Sequence, residues 1–283
     1  MSKLRKRFEP IIQKLAGKAP LCPWSSAVTL LDPRLLRAYP PKQEIRVIDS
    51  KERLKLLEFG GRHAFWFPEG MAITPELWSE YLVAFWDHRH NFHQYLRGGV
   101  SISAGDVVLD CGACEGFFTR MALDAGAAKV VCVEPSSTMV DCLRKTFEQE
   151  ILAGRVVILP VALGSFCGSA GFASADDDAF AGHFDTGSTV TVEVTTLGEI
   201  AREHGRPTFI KMDLEGSEYQ ALSGGVDLLE EFHPKLGITT YHNPWDHAVI
   251  TSFLTGVGYP SVKPYGMTLR NGSCPRPVMV HAW

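Results

Sequence analysis

The chain has 283 residues, 45% of them apolar and 21% charged, with a formal charge of −4. That length holds one large domain, or a catalytic domain with a smaller appendage, and the ordinary composition excludes disorder and fibrous repeats. The mild acidity excludes the broad basic surface that phosphate-backbone binding requires, so the expected partner is a small molecule and no nucleic acid.

No stretch reaches the roughly eighteen uninterrupted apolar residues of a transmembrane helix, and Met1 to Gly17 lacks the apolar core of a signal peptide. A cytoplasmic chain with no transmembrane segment is expected. Seven scattered cysteines, an odd number, point to a reducing compartment and not to a disulfide framework. The chain opens on a basic run, Lys3, Arg5, Lys6 and Arg7, beside Ile11, Ile12 and Leu15. A short amphipathic helix resting on a membrane or partner is one reading, and a solvated helix end is the simpler one. Pro20, Pro23, Pro40 and Pro41 mark joints, and a Trp- and His-rich stretch follows with no nucleotide motif. Residues 1–97 therefore read as an accessory region that shapes the substrate side.

From residue 98 to 283 short apolar runs alternate with helix-length segments, the form of βαβ units in a mainly parallel sheet. The expected strands are Val107 to Asp110, Lys129 to Val133, Val156 to Leu159, Thr208 to Met212, Lys235 to Thr239, Tyr259 to Val262 and Pro277 to Ala282. These seven suit one doubly wound, Rossmann-like α/β sheet. Thr189 to Thr195 alternates with period two and, with Ser169 to Ala173, predicts an antiparallel excursion, while Asp176, Asp177 and Asp178 read as a loop.

The segment Val107-Val-Leu-Asp-Cys-Gly-Ala-Cys-Glu-Gly joins an apolar strand, the acid Asp110 at its end, and a loop whose small residues Gly112, Ala113 and Gly116 open a helix. Small residues there let backbone approach a ligand at the C-terminal edge of the sheet. Glu134 ends the next strand, where an acid accepts hydrogen bonds from the ribose hydroxyls of an adenosine. An NAD-dependent oxidoreductase shares this outline, but Cys114 stands where its fingerprint needs the second glycine. Asp110 and Glu115 would also face a diphosphate, whereas adenosylmethionine brings an ammonium and a sulfonium. Cys111 and Cys114 form a C-x-x-C without the second pair of a closed zinc site. His88, His90 and His93 lack helical metal-ligand spacing and read as a polar face or a wall of the substrate pocket.

Later, Ile210-Lys-Met-Asp is a strand whose alternation puts Lys211 and Asp213 on one face. Ser217-Glu-Tyr-Gln has the form of a capping box, Ser217 as N-cap and Gln220 at the third position, with Glu218 in the first turn. Tyr241-His242-Asn243-Pro244-Trp245 forms a loop at the same sheet edge, and His242 has the intrinsic range of a general base.

These blocks together resemble the FkbM family of methyltransferases. The likeness runs through Gly105 to Thr119, Val133-Glu-Pro, Val161-Ala-Leu-Gly, Val194-Thr-Thr-Leu and Ile210-Lys-Met-Asp-Leu-Glu-Gly-Ser-Glu-Tyr, then less distinctly through Tyr241-His-Asn-Pro to the end. It departs at Leu197-Gly198-Glu199, where the family usually has Thr-Leu-Asp, and at Cys114-Glu115 in the loop. The resemblance implies a Rossmann-like class I methyltransferase fold and O-methylation of a hydroxyl on a sugar, polyketide or other secondary metabolite, with S-adenosyl-L-methionine as cofactor. The site then expected has Asp110, Gly112, Ala113, Gly116, Glu134, Pro135 and Ala162 at the cofactor. His242, Asp213 and Lys211 serve the acceptor oxygen, His242 being the preferred base, and no metal ligand is assigned. An NAD-dependent oxidoreductase and a non-catalytic binding protein of the same fold are the alternatives.

Overall fold

The structure, a computed structural model, describes residues 11–18, 22–29, 44–86, 91–175, 178–184, 187–188, 190–267 and 275–283. Its first elements are a short helix α1 (Trp24–Thr29), the strands β1 (Ile45–Lys51), β2 (Leu54–Phe59) and β3 (His63–Pro68), and the helix α2 (Pro75–Phe85). The three strands form an antiparallel meander of their own. The sequence reading missed it. Leu54-Lys-Leu-Leu-Glu-Phe does alternate, with Leu57 and Phe59 fully buried, but the turns are Glu52-Arg53 and Gly60-Gly61, and the former carries no glycine.

The large sheet has seven strands in the order β13-β14-β12-β11-β4-β5-β6. They are β4 (Val107–Cys111), β5 (Lys129–Val133), β6 (Val156–Leu159), β11 (Phe209–Met212), β12 (Lys235–Thr239), β13 (Val262–Tyr265) and β14 (Met279–Ala282). Neighbours from β6 through β12 pair parallel, and β14 lies antiparallel between β12 and β13. The Rossmann-like methyltransferase topology expected from the sequence is present, with two strands displaced. The sixth begins at Val262 and not Tyr259, because Pro260 has no N–H to give a ladder. The last begins at Met279, two residues beyond Pro277.

Alternation along each strand divides the apolar residues between two faces. Val108, Val130, Cys132 and Phe209 face the helix α3 (Phe117–Asp124) together with Phe59, Phe65, Phe67 and Trp78 of the N-terminal elements, in one continuous core. Leu109, Val131, Ile210 and Ile238 face the opposite layer, built on α6 (Leu197–His204), α8 (Val226–Phe232) and α9 (Asp246–Gly256). Fully burying such a side chain contributes on the order of 1.5–3 kcal/mol. The remaining helices are α4 (Ser137–Thr146) and α5 (Glu148–Leu152) after β5, and α7 (Glu218–Ser223) after β11.

The antiparallel excursion is present and larger than expected. Strands β7 (Ala162–Leu163), β8 (Gly168–Ala175), β9 (Asp178–Phe184) and β10 (Thr191–Thr195) form a sheet in the order β7-β10-β8-β9, antiparallel except where β7 joins β10 in parallel. Asp178 opens β9 and is no loop residue, while Asp176 and Asp177 lie outside the described residues. So do the basic start, Pro20, Pro40, Pro41, His88 and His90. Residues 11–15 are helical; Ile11 packs on Cys22, Ala27 and Met267, whereas Ile12 and Leu15 are exposed. No helix among the described residues is long and apolar enough to cross a membrane.

Candidate active site

A cavity of about 610 Å³ opens at the C-terminal edge of β4, β5 and β11. Small-molecule sites occupy roughly 300–1,000 Å³ and favour this edge of an open α/β sheet. Of the residues singled out in the sequence, Gly112, Ala113, Glu134, Pro135, Ala162, Lys211, Asp213 and His242 line it. Asp110 and Gly116 do not; they stand behind its wall.

Asp110 is fully buried, and its partners explain why. In the parallel pair of β4 and β11 it lies directly beside Lys211, and the two charges meet at 3.1 Å. The Thr119 hydroxyl donates to Asp110 Oδ2 at 2.6 Å, and Lys211 also donates to the Gly112 carbonyl. Burial works against the lysine's charge, but Asp110 and Asp213 outweigh it and hold the pKa above the ordinary lysine value. Asp110 and Lys211 thus clamp the glycine loop to the neighbouring strand. Gly112 and Gly116 have φ of 76° and 81°. A Cβ on Gly112 would lie 1.9 Å from the Asp213 carbonyl oxygen, and one on Gly116 2.5 Å from Phe147. Packing therefore demands these glycines before any ligand does.

Glu134 is 6% exposed. Its two oxygens accept from Cys114 N at 2.9 Å and Ser136 N at 2.8 Å, tying the glycine loop to the next one. Burial outweighs these bonds and pushes its carboxyl up to about 7. Cys111 faces the core and Cys114 the cavity, both as free thiols. Burial raises both pKa values, which disfavours the thiolate that redox or zinc chemistry needs.

Asp213, Glu215 and His242 also line the cavity, with Glu218 against His242. Glu218 is fully buried in the first turn of α7. The capping box expected there is not formed: Ser217 is the N-cap but makes no side-chain cap, and Glu218 Oε1 instead accepts from Leu214 N at 2.9 Å. The same oxygen accepts from His242 Nδ1 at 2.9 Å. Burial lowers the imidazole's proton affinity, but Glu218, Asp213 and Glu215 outweigh it and raise His242 to about 9. Asp213 Oδ2 accepts from the Tyr95 hydroxyl at 2.7 Å, and the Thr239 hydroxyl lies 3.1 Å from Oδ1.

Sequence reading missed Glu80, Tyr95, Glu215 and Tyr241 as cavity residues. Glu80 comes from α2; its surroundings, Glu115, Asp213 and Glu215 raise it to about 7. Glu215 and Cys114 are non-glycine residues with positive φ, 51° and 45°, on loops that line the cavity. Such conformations cost roughly 1–3 kcal/mol and cluster at functional sites. Their place inside sequence-legible blocks was the available signal. The departure at Leu197-Gly198-Glu199 leaves the helix start intact, since the Thr196 hydroxyl accepts from Glu199 N at 3.2 Å.

Comparison with known proteins agrees with this architecture. The family model for the methyltransferase FkbM domain matches residues 110–261, more than half of the chain. Methyltransferase FkbM from Methylobacillus flagellatus KT has the same fold, with 21% identity and a TM-score of 0.50 over 75% of this chain and 56% of that one. This chain therefore spans little more than half of that protein's length. A precorrin-6Y C5,15-methyltransferase from Geobacter metallireducens GS-15 is similar at 12% identity and a TM-score of 0.43, over 76% of this chain and 94% of that one. TYW2 of M. jannaschii, in complex with AdoMet, is similar at 14% identity and a TM-score of 0.43, over 84% and 88%. No curated protein matches the sequence. The matched span contains the glycine loop, Glu134, Lys211, Asp213 and His242, and on it the chain belongs to the FkbM methyltransferase domain family.

Proposed function

We propose that the chain is an S-adenosylmethionine-dependent O-methyltransferase acting on a hydroxyl of a sugar, polyketide or other secondary metabolite. Residues 98–283 form its catalytic part, and residues 1–97 shape the acceptor side. The observation that carries this reading is the charge of the cavity wall. Glu76, Glu80, Glu115, Glu134, Asp213 and Glu215 line it, against Lys211 and His242, which are already engaged by Asp110 and Glu218. Above about pH 7, where Glu80 and Glu134 ionise, such a wall repels the diphosphate of a dinucleotide and suits a ligand with an ammonium and a sulfonium. A charge pair at about 4 Å is worth from roughly 1 kcal/mol in water to roughly 4 near a protein surface.

Adenosylmethionine supplies a methyl group already activated on sulfur. The chain's part is placement, for which alignment contributes up to about 7–11 kcal/mol. Gly112 to Cys114, Glu134, Pro135 and Ala162 hold the nucleoside end, Glu134 accepting from the ribose. Asp213, fixed by Tyr95 and Thr239, positions the acceptor hydroxyl, and the Asp213–Glu215–His242 cluster stands where its proton leaves. Met71, Leu77, Glu80 and Tyr95, all within residues 1–97, line the cavity and support the substrate-shaping role.

Calorimetric titration with adenosylmethionine, its demethylated product and NAD tests the reading. One adenosyl ligand per chain and no NAD is expected; binding of NAD alone would overturn it.

A further inference from the structure

Asp213, Glu215 and His242 each offer one ligand-type atom, and these atoms all lie within 4.8 Å of one another. His242 Nε2 lies 3.5 Å from Asp213 Oδ1 and 3.4 Å from Glu215 Oε2. Two donors each about 2.1 Å from an ion stand about 3.0 Å apart at octahedral angles and about 3.4 Å apart at tetrahedral ones. The two spacings from Nε2 fit donors to one shared ion, and the two carboxylates lie within 4.8 Å of each other.

The imidazole gives the second, independent observation. Its side chain is 7% exposed. Nδ1 faces the buried Glu218, and a carboxylate only accepts, so Nδ1 carries a hydrogen and donates it. That fixes Nε2 as the open nitrogen, buried and without a hydrogen-bond partner, turned toward two carboxylates. In the neutral tautomer a lone pair faces two anions. A cation between them turns repulsion into coordination, in the carboxylate–imidazole–metal arrangement that orients a ligating histidine. Glu80 and Glu115, two further carboxyl groups, line the same cavity.

We propose that Asp213, Glu215 and His242 bind one divalent cation of the Mg²⁺ or Mn²⁺ kind at the acceptor end of the cavity, with Glu218 orienting the imidazole. Three protein donors leave positions open to the cavity in a six-coordinate ion. An acceptor with two adjacent oxygens, a hydroxyl beside a second hydroxyl or a carbonyl, fills two of them and has its reacting oxygen acidified. This substrate class rests on the methyltransferase reading; the cation site does not. A cation at Nε2 also removes His242 as general base, since the lone pair is used.

The test is a Mn²⁺ titration of the whole, chelator-stripped chain, followed by the electron paramagnetic resonance of free Mn²⁺, without and with adenosylmethionine. One ion per chain, displaced by excess Mg²⁺, is expected. His242→Ala and the more exposed Glu215→Gln should each weaken uptake at least tenfold, with thermal melting showing that both remain folded. No uptake at millimolar Mn²⁺, as expected if a proton alone occupies Nε2, overturns the proposal. So does uptake unchanged in both variants. Mn²⁺ uptake by a chain that ignores adenosylmethionine keeps the site and sinks the methyltransferase reading, and the converse result does the reverse.

Discussion

Glu134→Gln separates what this residue does for a ligand from what it costs the fold. The carboxyl is nine-tenths buried and rises from 4.5 to about 7 through burial. At roughly 1.4 kcal/mol per factor of ten, keeping it ionised costs the folded protein about 3 kcal/mol. The sign follows from linkage: the folded state holds its proton more tightly than the unfolded one. Stability from this group is therefore greatest below about pH 4.5, falls as pH rises through about 7, and stays low above that. The glutamine removes this cost but satisfies only one of the two N–H groups of Cys114 and Ser136. That returns about 1–3 kcal/mol. At pH 8 the ligand-free variant should melt higher by a few degrees, and the gain should vanish near pH 5. Adenosylmethionine affinity at pH 8 should nevertheless fall ten- to a hundredfold, as for loss of a charged hydrogen bond of about 1.5–3 kcal/mol. Differential scanning calorimetry and isothermal titration read the two effects. A variant that melts lower at pH 8, or binds adenosylmethionine undiminished, refutes the reasoning.

Lys211→Met leaves Asp110 buried without its ion pair and should cost about 3–5 kcal/mol in chemical denaturation, much of it recovered by adding Asp110→Asn. Recovery failing in a soluble double variant would show that the pair is not the clamp. Gly112→Ala drives a methyl group into the Asp213 carbonyl and should abolish soluble, cooperatively melting protein; a normal melt would contradict the close approach. Tyr95→Phe removes the hydroxyl on Asp213 Oδ2 and should lower kcat about tenfold while leaving adenosylmethionine affinity within twofold. Glu80→Gln should change acceptor KM with cofactor affinity unaltered, since Glu80 enters the cavity from residues 1–97; an effect on cofactor alone would reassign that wall.

What could be read from the sequence was what is local. Apolar runs such as Val107 to Asp110 and Lys129 to Val133 announce parallel strands because both sheet faces are covered, and the glycine loop and Glu134 follow at fixed distances. The ion pair of Asp110 was not legible because its partner, Lys211, is brought beside it only by strand register. Tyr95 and Asp213 are 118 residues apart, and no spacing rule reaches that far. The glycines were read as letting backbone approach a ligand; that Asp213 and Phe147 also crowd their Cβ positions is visible only in the fold. His242 and Glu218 were each noticed, but their contact, which fixes the tautomer, depends on the loop after β12 returning to α7. The N-terminal meander was hidden because its aromatic residues complete the core on one face of the large sheet, so its cutting away would expose Phe117 and Val108.

The central claim is methyl transfer to a small-molecule oxygen, and label transfer tests it most directly. The purified chain is incubated with methyl-labelled adenosylmethionine, Mg²⁺ and the small-molecule fraction of an extract of the producing organism. The account predicts label on an oxygen of one small molecule, dependent on the chain and reduced at least a hundredfold by Asp213→Asn. Cofactor binding without label in any fraction, or label that appears equally with Asp213→Asn, would contradict it.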